Sequence, residues 1–179
     1  WGTSAADTIT GTAGDDNIAT GAGDDTVNSN GGKDAIYTGP GDDTIAITDG
    51  NFTRIDGGGG TDTLKLSGAG QYLNLSEKSA KVRSIEVFDI RGTGANEITL
   101  NKSASGNSNI RIIADADDTV YSANNQWRDS GTTRTIDNVT YQVYTVGVAE
   151  MLVQVGATVE INNEPSIENQ TFSIGEDAS

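Results

Sequence analysis

Asp7, Asp16, Asp25, Asp34 and Asp43 stand nine residues apart, and an aliphatic residue follows each by two: Ile9, Ile18, Val27, Ile36 and Ile45. After an irregular stretch (47–56), Asp62 and Leu64 resume the pattern one residue late. Carboxylates brought together at regular intervals repel one another, and a divalent cation between them removes that repulsion. Ca²⁺ accepts about six to eight oxygens in flexible geometry, which suits Asp side chains together with turn carbonyls; Mg²⁺ demands tighter octahedral packing. The chemistry offered by this spacing is therefore cation binding by hard oxygen donors.

Those carboxylates need an element that stacks them. A nine-residue unit holds a tight turn of roughly six residues and a strand of about three. GTAGDDNIA (11–19), TGAGDDTVN (20–28), SNGGKDAIY (29–37) and TGPGDDTIA (38–46) each carry a glycine-bearing turn followed by a strand whose aliphatic residue points inward. Two units complete one coil of a solenoid, so alternate turns stack on the same edge. One edge collects Asp7, Asp25, Asp43 and Asp62; the other collects Asp16 and Asp34. With coils about 4.8 Å apart, neighbouring Asp residues share cations, and about four shared sites are expected. Asp15, Asp24 and Asp42 just precede the ligand positions and read as solvated charge that concentrates cations locally.

The pattern resembles the calcium-binding nonapeptide G-G-x-G-x-D-x-U-x of RTX (repeats-in-toxin) proteins. The resemblance implies a calcium-loaded parallel β-roll over 2–65, with the carbonyls of Gly14, Gly23, Gly32 and Gly41 as ligands beside Asp7, Asp16, Asp25, Asp34, Asp43 and Asp62. Repeats rich in Gly and Asp bury little apolar surface, so calcium is expected to supply much of their folding free energy, leaving 2–65 largely disordered without it.

The net charge of −15, from 26 acidic and 11 basic residues, disfavours nucleic acid and anionic membranes as partners. The first 65 residues contain eleven Asp and no Glu. The absence of Cys and His removes disulfides, thiolate chemistry, His-based zinc sites and Ser-His-Asp catalysis. No run of eighteen apolar residues is present to span a bilayer. The basic residues are scattered singly apart from Lys78, Lys81 and Arg83, which read as a solvated face, so no enzymatic activity is expected.

Beyond the repeats, LKLSG (64–68), YLNLS (72–76), IEVFDI (85–90), NEITL (96–100) and IRIIA (110–114) read as short strands, with one helical turn expected in 76–82. TIDNVTYQVYTVG (135–147) and AEMLVQVGATVEI (149–161) read as an antiparallel hairpin or meander. The expected fold is all-β: a β-roll over 2–65, a β-rich cap or sandwich over 66–161, and a linker from 162. Whether 66–134 continues the solenoid or folds back as a sandwich is open at this level.

The segment 64–158 resembles the part that follows RTX repeats in large bacterial RTX adhesins, and PSIENQTFSI (165–174) resembles the first strand of their cadherin-like repeats. That resemblance implies an excised module of a longer, type I-secreted, extracellular protein, monomeric and flanked by cadherin-like domains. It also implies ligand binding, to a cell-surface or matrix peptide or glycan, in attachment or biofilm formation. Tyr121 and Trp127, beside Asn124, Asn125, Gln126 and Asp129, offer aromatic faces and hydrogen-bonding groups for such a ligand, and Asp115, Asp117 and Asp118 a further calcium or a solvated turn. The alternative is a structural spacer that binds only calcium and neighbouring domains. A Trp127 exposed on a concave surface favours binding; a buried Trp127 favours the spacer.

Overall fold

The computed structural model describes residues 1–78, 80–101, 109–123 and 127–161. The expected linker and cadherin-like strand (162–179), together with Asn124, Asn125 and Gln126, lie outside the described residues.

In the repeats, a short strand follows almost every turn: β1 (Thr8–Thr10), β2 (Asn17–Ala19), β3 (Thr26–Asn28), β4 (Ala35–Pro40), β5 (Thr44–Ile47), β6 (Arg54–Gly59) and β7 (Thr63–Leu66). The odd-numbered strands pair in parallel as one wall, with Thr8 beside Thr26, Thr26 beside Thr44, and Thr44 beside Thr63. β2, β4 and β6 form a second wall, with Ile18 beside Ile36 and Ile36 beside Ile55. The alternation of the pleat turns these aliphatics inward, where Val27, Ile45 and Leu64 from one wall meet Ile18, Ile36 and Ile55 from the other in one core cluster.

The solenoid continues past the last repeat. β8 (Tyr72–Asn74), β9 (Val82–Arg83), β10 (Val87–Asp89), β11 (Glu97–Leu100), β12 (Asn109–Ile113) and β13 (Thr119–Ser122) follow. β10 and β12 extend the first wall in parallel, and β9 pairs with β6 to end the second. β8, β11 and β13 make a third, parallel sheet, whose Leu73, Ile98 and Val120 join the same core. The described strands from β8 to β13 are thus further solenoid, not a separate sandwich.

An antiparallel meander then grows from the first wall: β14 (Arg128–Ile136), β15 (Val139–Val146) and β16 (Ala149–Gln154), with β16 parallel to β12. β17 (Thr158–Glu160) returns to the third sheet beside β13. The antiparallel meander expected from 135–161 is thus present, with an additional turn inside 135–147. Asp137 and Asn138, at φ 50° and 64°, make a two-residue hairpin turn of the kind Asn and Asp tolerate. The described residues contain no α-helix; 76–78 and 80–81 make turns, with the Lys81 N–H donating to the Lys78 carbonyl at 2.7 Å.

Trp127 is 1 % exposed and belongs to the main core, as does Tyr144, while Tyr141 packs with Val143 and Leu152 on the meander's other face. Trp127→Ala is expected to lower the stability of the calcium-loaded protein by about 4 kcal/mol, the usual cost of emptying a large aromatic site. Chemical denaturation in saturating calcium measures it; a loss within experimental error would place the indole on the surface.

Candidate metal centre

The inward pull of the aliphatic two residues on fixes each repeat Asp at the end of a turn, directly above its counterpart in the neighbouring coil. A ladder results. The Asp7 N–H donates to Asp25 Oδ1 at 2.7 Å, that of Asp25 to Asp43 Oδ1 at 2.7 Å, and that of Asp43 to Asp62 Oδ1 at 3.0 Å. On the other edge the Asp16 N–H donates to Asp34 Oδ1 at 2.9 Å. The two edges expected from the nine-residue spacing are both present, with the same members.

One carboxylate oxygen of Asp25, Asp34, Asp43 and Asp62 is thereby used, while Oδ2 of Asp7 and of Asp16 accepts the N–H and hydroxyl of Thr3 and of Thr12 respectively. Asp25, Asp43 and Asp62 are almost completely buried, and the Oδ2 atom of each has no hydrogen-bond partner. Burying a carboxylate oxygen without a partner is costly unless a cation compensates it. The backbone provides further donors. A Cβ placed on Gly2 would lie 2.0 Å from the Thr20 carbonyl oxygen and 2.8 Å from Asp7 Oδ2. On Gly11 it would lie 2.6 Å from the Ser29 carbonyl oxygen and 2.9 Å from Asp16 Oδ2. Each is a side-chain-free cradle where an Asp oxygen and a carbonyl of the next coil converge.

The carbonyls of Gly14, Gly23 and Gly41 face the next turn closely, at 2.3, 2.1 and 2.1 Å from a Cβ built on Gly32, Gly41 and Gly60 respectively. Among the described residues no three carboxylates come together as a metal-binding group. The donor set is carboxylates supplemented by backbone carbonyls, all oxygen, which fits Ca²⁺ and not a metal preferring nitrogen or sulfur. When bound, calcium would supply the positive charge that the buried Oδ2 atoms lack; Asp25, Asp43, Asp62 and the turn carbonyls would hold it.

Burial raises the carboxyl pKa of Asp34 and Asp43 above the ordinary value. For Asp62, burial, reinforced by the neighbouring Asp43 and Glu86 charges, pushes it from 3.8 up to about 7. A raised folded-state pKa stabilises the calcium-free coil fully below the unfolded value, and that contribution disappears as pH rises through the folded one. Acidification from pH 8 to 5 in chelator is therefore expected to restore part of the β-sheet signal in circular dichroism, whereas calcium affinity falls over the same range as protons compete. A chelated protein that loses β signal on acidification contradicts this.

Three features escape sequence reasoning. Asp15, Asp24 and Asp42 are exposed, but each accepts a backbone N–H of the next coil, from Lys33, Asp42 and Thr61, at 2.7–2.9 Å. They form an outer ladder, not merely solvated charge. Glu86 accepts the Asp62 N–H at 2.8 Å. A third ladder lies in the continued solenoid, where the Gln71 N–H donates to Asn96 Oδ1 at 2.8 Å and the Asn96 N–H to Asp118 Oδ1 at 2.9 Å. There an amide replaces a carboxylate, and Asn96 Nδ2 donates to the Ile90 carbonyl. The i+18 recurrence that signals the first ladders is absent here.

Of the other candidate residues, Asp115 and Asp117 are exposed, whereas Asp118 is buried with its two oxygens accepting the N–H groups of Asn96 and Asp115. That is a satisfied turn, with burial raising the Asp118 pKa. Trp127 is removed from any surface by its burial. Tyr121 is half-buried and lies with Tyr72, Glu97 and Thr99 around a shallow concavity on the third sheet.

A parallel solenoid with carboxylate ladders and carbonyl-lined glycine cradles defines a calcium-binding β-roll. The RTX calcium-binding nonapeptide repeat matches this chain in four copies, at residues 1–36, 10–45, 28–51 and 54–66. Residues 1–66 are RTX repeats. No curated protein and no solved structure matches the chain.

Proposed function

We propose that this chain is a calcium-folded structural module of a secreted RTX adhesin, a rigid non-enzymatic spacer whose folding is postponed until export. The buried, unpartnered Oδ2 atoms of Asp25, Asp43 and Asp62 carry this reading, because they leave the coil short of positive charge until calcium arrives. Extracellular modules bind calcium at roughly 10⁻⁴–10⁻³ M, so cytosolic calcium leaves such sites empty. The burial of Trp127 supports the spacer over a ligand-binding cap built on that residue. The grouped basic residues support the non-enzymatic reading: Lys78 Nζ donates to the Gly50 carbonyl at 2.7 Å, and Lys81 and Arg83 are exposed. Neither nucleic acid nor membrane insertion belongs to this reading, and the module acts as a monomer between neighbouring domains of its own chain.

One observation favours a second reading. Tyr72 is 54 % exposed, and it stands with Tyr121 beside Glu97 and Thr99 on the outer face of the third sheet. Aromatic faces next to hydrogen-bonding groups suit a glycan or a short peptide, which would make the module an attachment device. A peptide and glycan array probed with the calcium-loaded protein separates the two. A blank array supports the spacer; calcium-dependent binding abolished by Tyr72→Ala together with Tyr121→Ala overturns it in favour of attachment.

A further inference from the structure

The last RTX repeat ends near residue 66, yet the ladder takes one more step. Val87 lies beside Thr63 and Phe88 beside Leu64, which puts Glu86 level with Asp62. Its carbonyl pairing repeats that of the ladder Asp residues, with the Glu86 N–H also donating back to the Asp62 carbonyl at 3.2 Å. The N–H of the residue after Asp25, Asp43 and Asp62 donates to the carbonyl of the Asp one coil earlier, at 2.8 Å each; the N–H of Val87, after Glu86, donates to the Asp62 carbonyl at 3.0 Å. The Asp62 N–H in turn donates to Glu86 Oε2, as each earlier Asp N–H donates to the next Asp.

The cradle is repeated as well. A Cβ on Gly57 would meet the Ser84 carbonyl oxygen at 2.2 Å and Asp62 Oδ2 at 2.4 Å, the same pairing as Thr20 O with Asp7 Oδ2 at Gly2. Ser84 reaches this position with φ at 51°, left-handed backbone that a non-glycine residue adopts only under constraint. Asp62 is 0 % exposed and its Oδ2, aimed into this cradle, has no partner. The coil between Asp62 and Glu86 spans 24 residues against 18 in the repeats, and the longer Glu side chain reaches the ladder where the glycine-rich turn is missing.

We propose that Asp62, Glu86 and the Ser84 carbonyl form an additional calcium site beyond the last nonapeptide, one that joins the repeat coil to the continued solenoid. It rests on the calcium reading of the repeats, and its test is separable from that reading. Bound calcium is counted by atomic absorption after equilibrium dialysis of wild type and Glu86→Gln, since Gln keeps the acceptor for the Asp62 N–H but loses the charge. Glu86→Gln is expected to hold about one equivalent fewer, with an unchanged circular dichroism spectrum at saturating calcium. An unchanged count overturns the site; a wild type that binds no calcium overturns the calcium reading itself. Should Glu86→Gln fail to fold, terbium-soaked crystals of the wild type decide by anomalous scattering. A peak between Asp62, Glu86 and Ser84 supports the site, and no peak there refutes it.

Discussion

Asp43→Ala is expected to raise the calcium concentration needed for folding at least tenfold, equivalent to about 1.4 kcal/mol or more. Asp43 sits in the middle of its ladder, 1 % exposed. Its Oδ1 accepts the Asp25 N–H at 2.7 Å, and its own N–H donates to Asp62 at 3.0 Å. Truncation orphans the buried Asp25 N–H, at a cost of about 1–3 kcal/mol, and removes a carboxylate adjoining the sites both above and below. Asp24→Ala is the matched control. Asp24 is exposed and accepts the Asp42 N–H, so its loss is expected to cost less than about 1 kcal/mol. Calcium titrations of the two variants give the comparison, and equal midpoints would remove the inner ladder from the binding account.

Gly39→Ala is the second large effect. Gly39 has φ at 100°, and a Cβ there would lie 1.9 Å from the Gly21 carbonyl oxygen. Both obstacles are backbone: the left-handed conformation disfavours a side chain, and the stacked coil cannot move aside without breaking its own hydrogen bonds. A loss of about 3 kcal/mol or more is expected even in saturating calcium. Gly59, in the neighbouring coil, has no left-handed φ, and a Cβ placed on it would meet nothing within 4 Å, so Gly59→Ala is expected to be nearly neutral. Thermal melts in calcium test the pair; equal melting temperatures would mean that the coils are not stacked as described.

The repeat half is legible in the sequence because its coil length hardly varies. Asp7, Asp25 and Asp43 recur at one spacing, so a single period reveals turn, strand, inward face and ladder together. Coil lengths of 18 and 19 residues then give way to steps of 24, 25 and 22 residues in the continued solenoid. Without a constant period the strands can be read from local alternation, but their partners cannot. Glu86 is hidden for this reason, since neither its residue type nor its flanking sequence matches the repeat. The Gln71, Asn96 and Asp118 ladder is equally silent, because different side chains fill one structural slot. Trp127 among Asn and Gln leaves exposed and buried readings both open in the sequence; its burial comes from tertiary packing that local composition does not encode.

The amide-bearing ladder also separates the two halves physically. Asn96 donates and accepts hydrogen bonds within the protein, without a cation, whereas Asp25, Asp43 and Asp62 each keep a bare buried oxygen. Calcium dependence should therefore concentrate in the RTX repeats. The direct test is far-UV circular dichroism of the chain while free calcium is raised from chelated levels to about 10⁻² M, a span that brackets extracellular affinities. A chelated spectrum with substantial irregular structure is expected, followed by a cooperative gain of β-sheet before the millimolar range is passed. A full β-sheet spectrum in chelator, unchanged by calcium, would contradict it and leave the nonapeptides as metal-free turns.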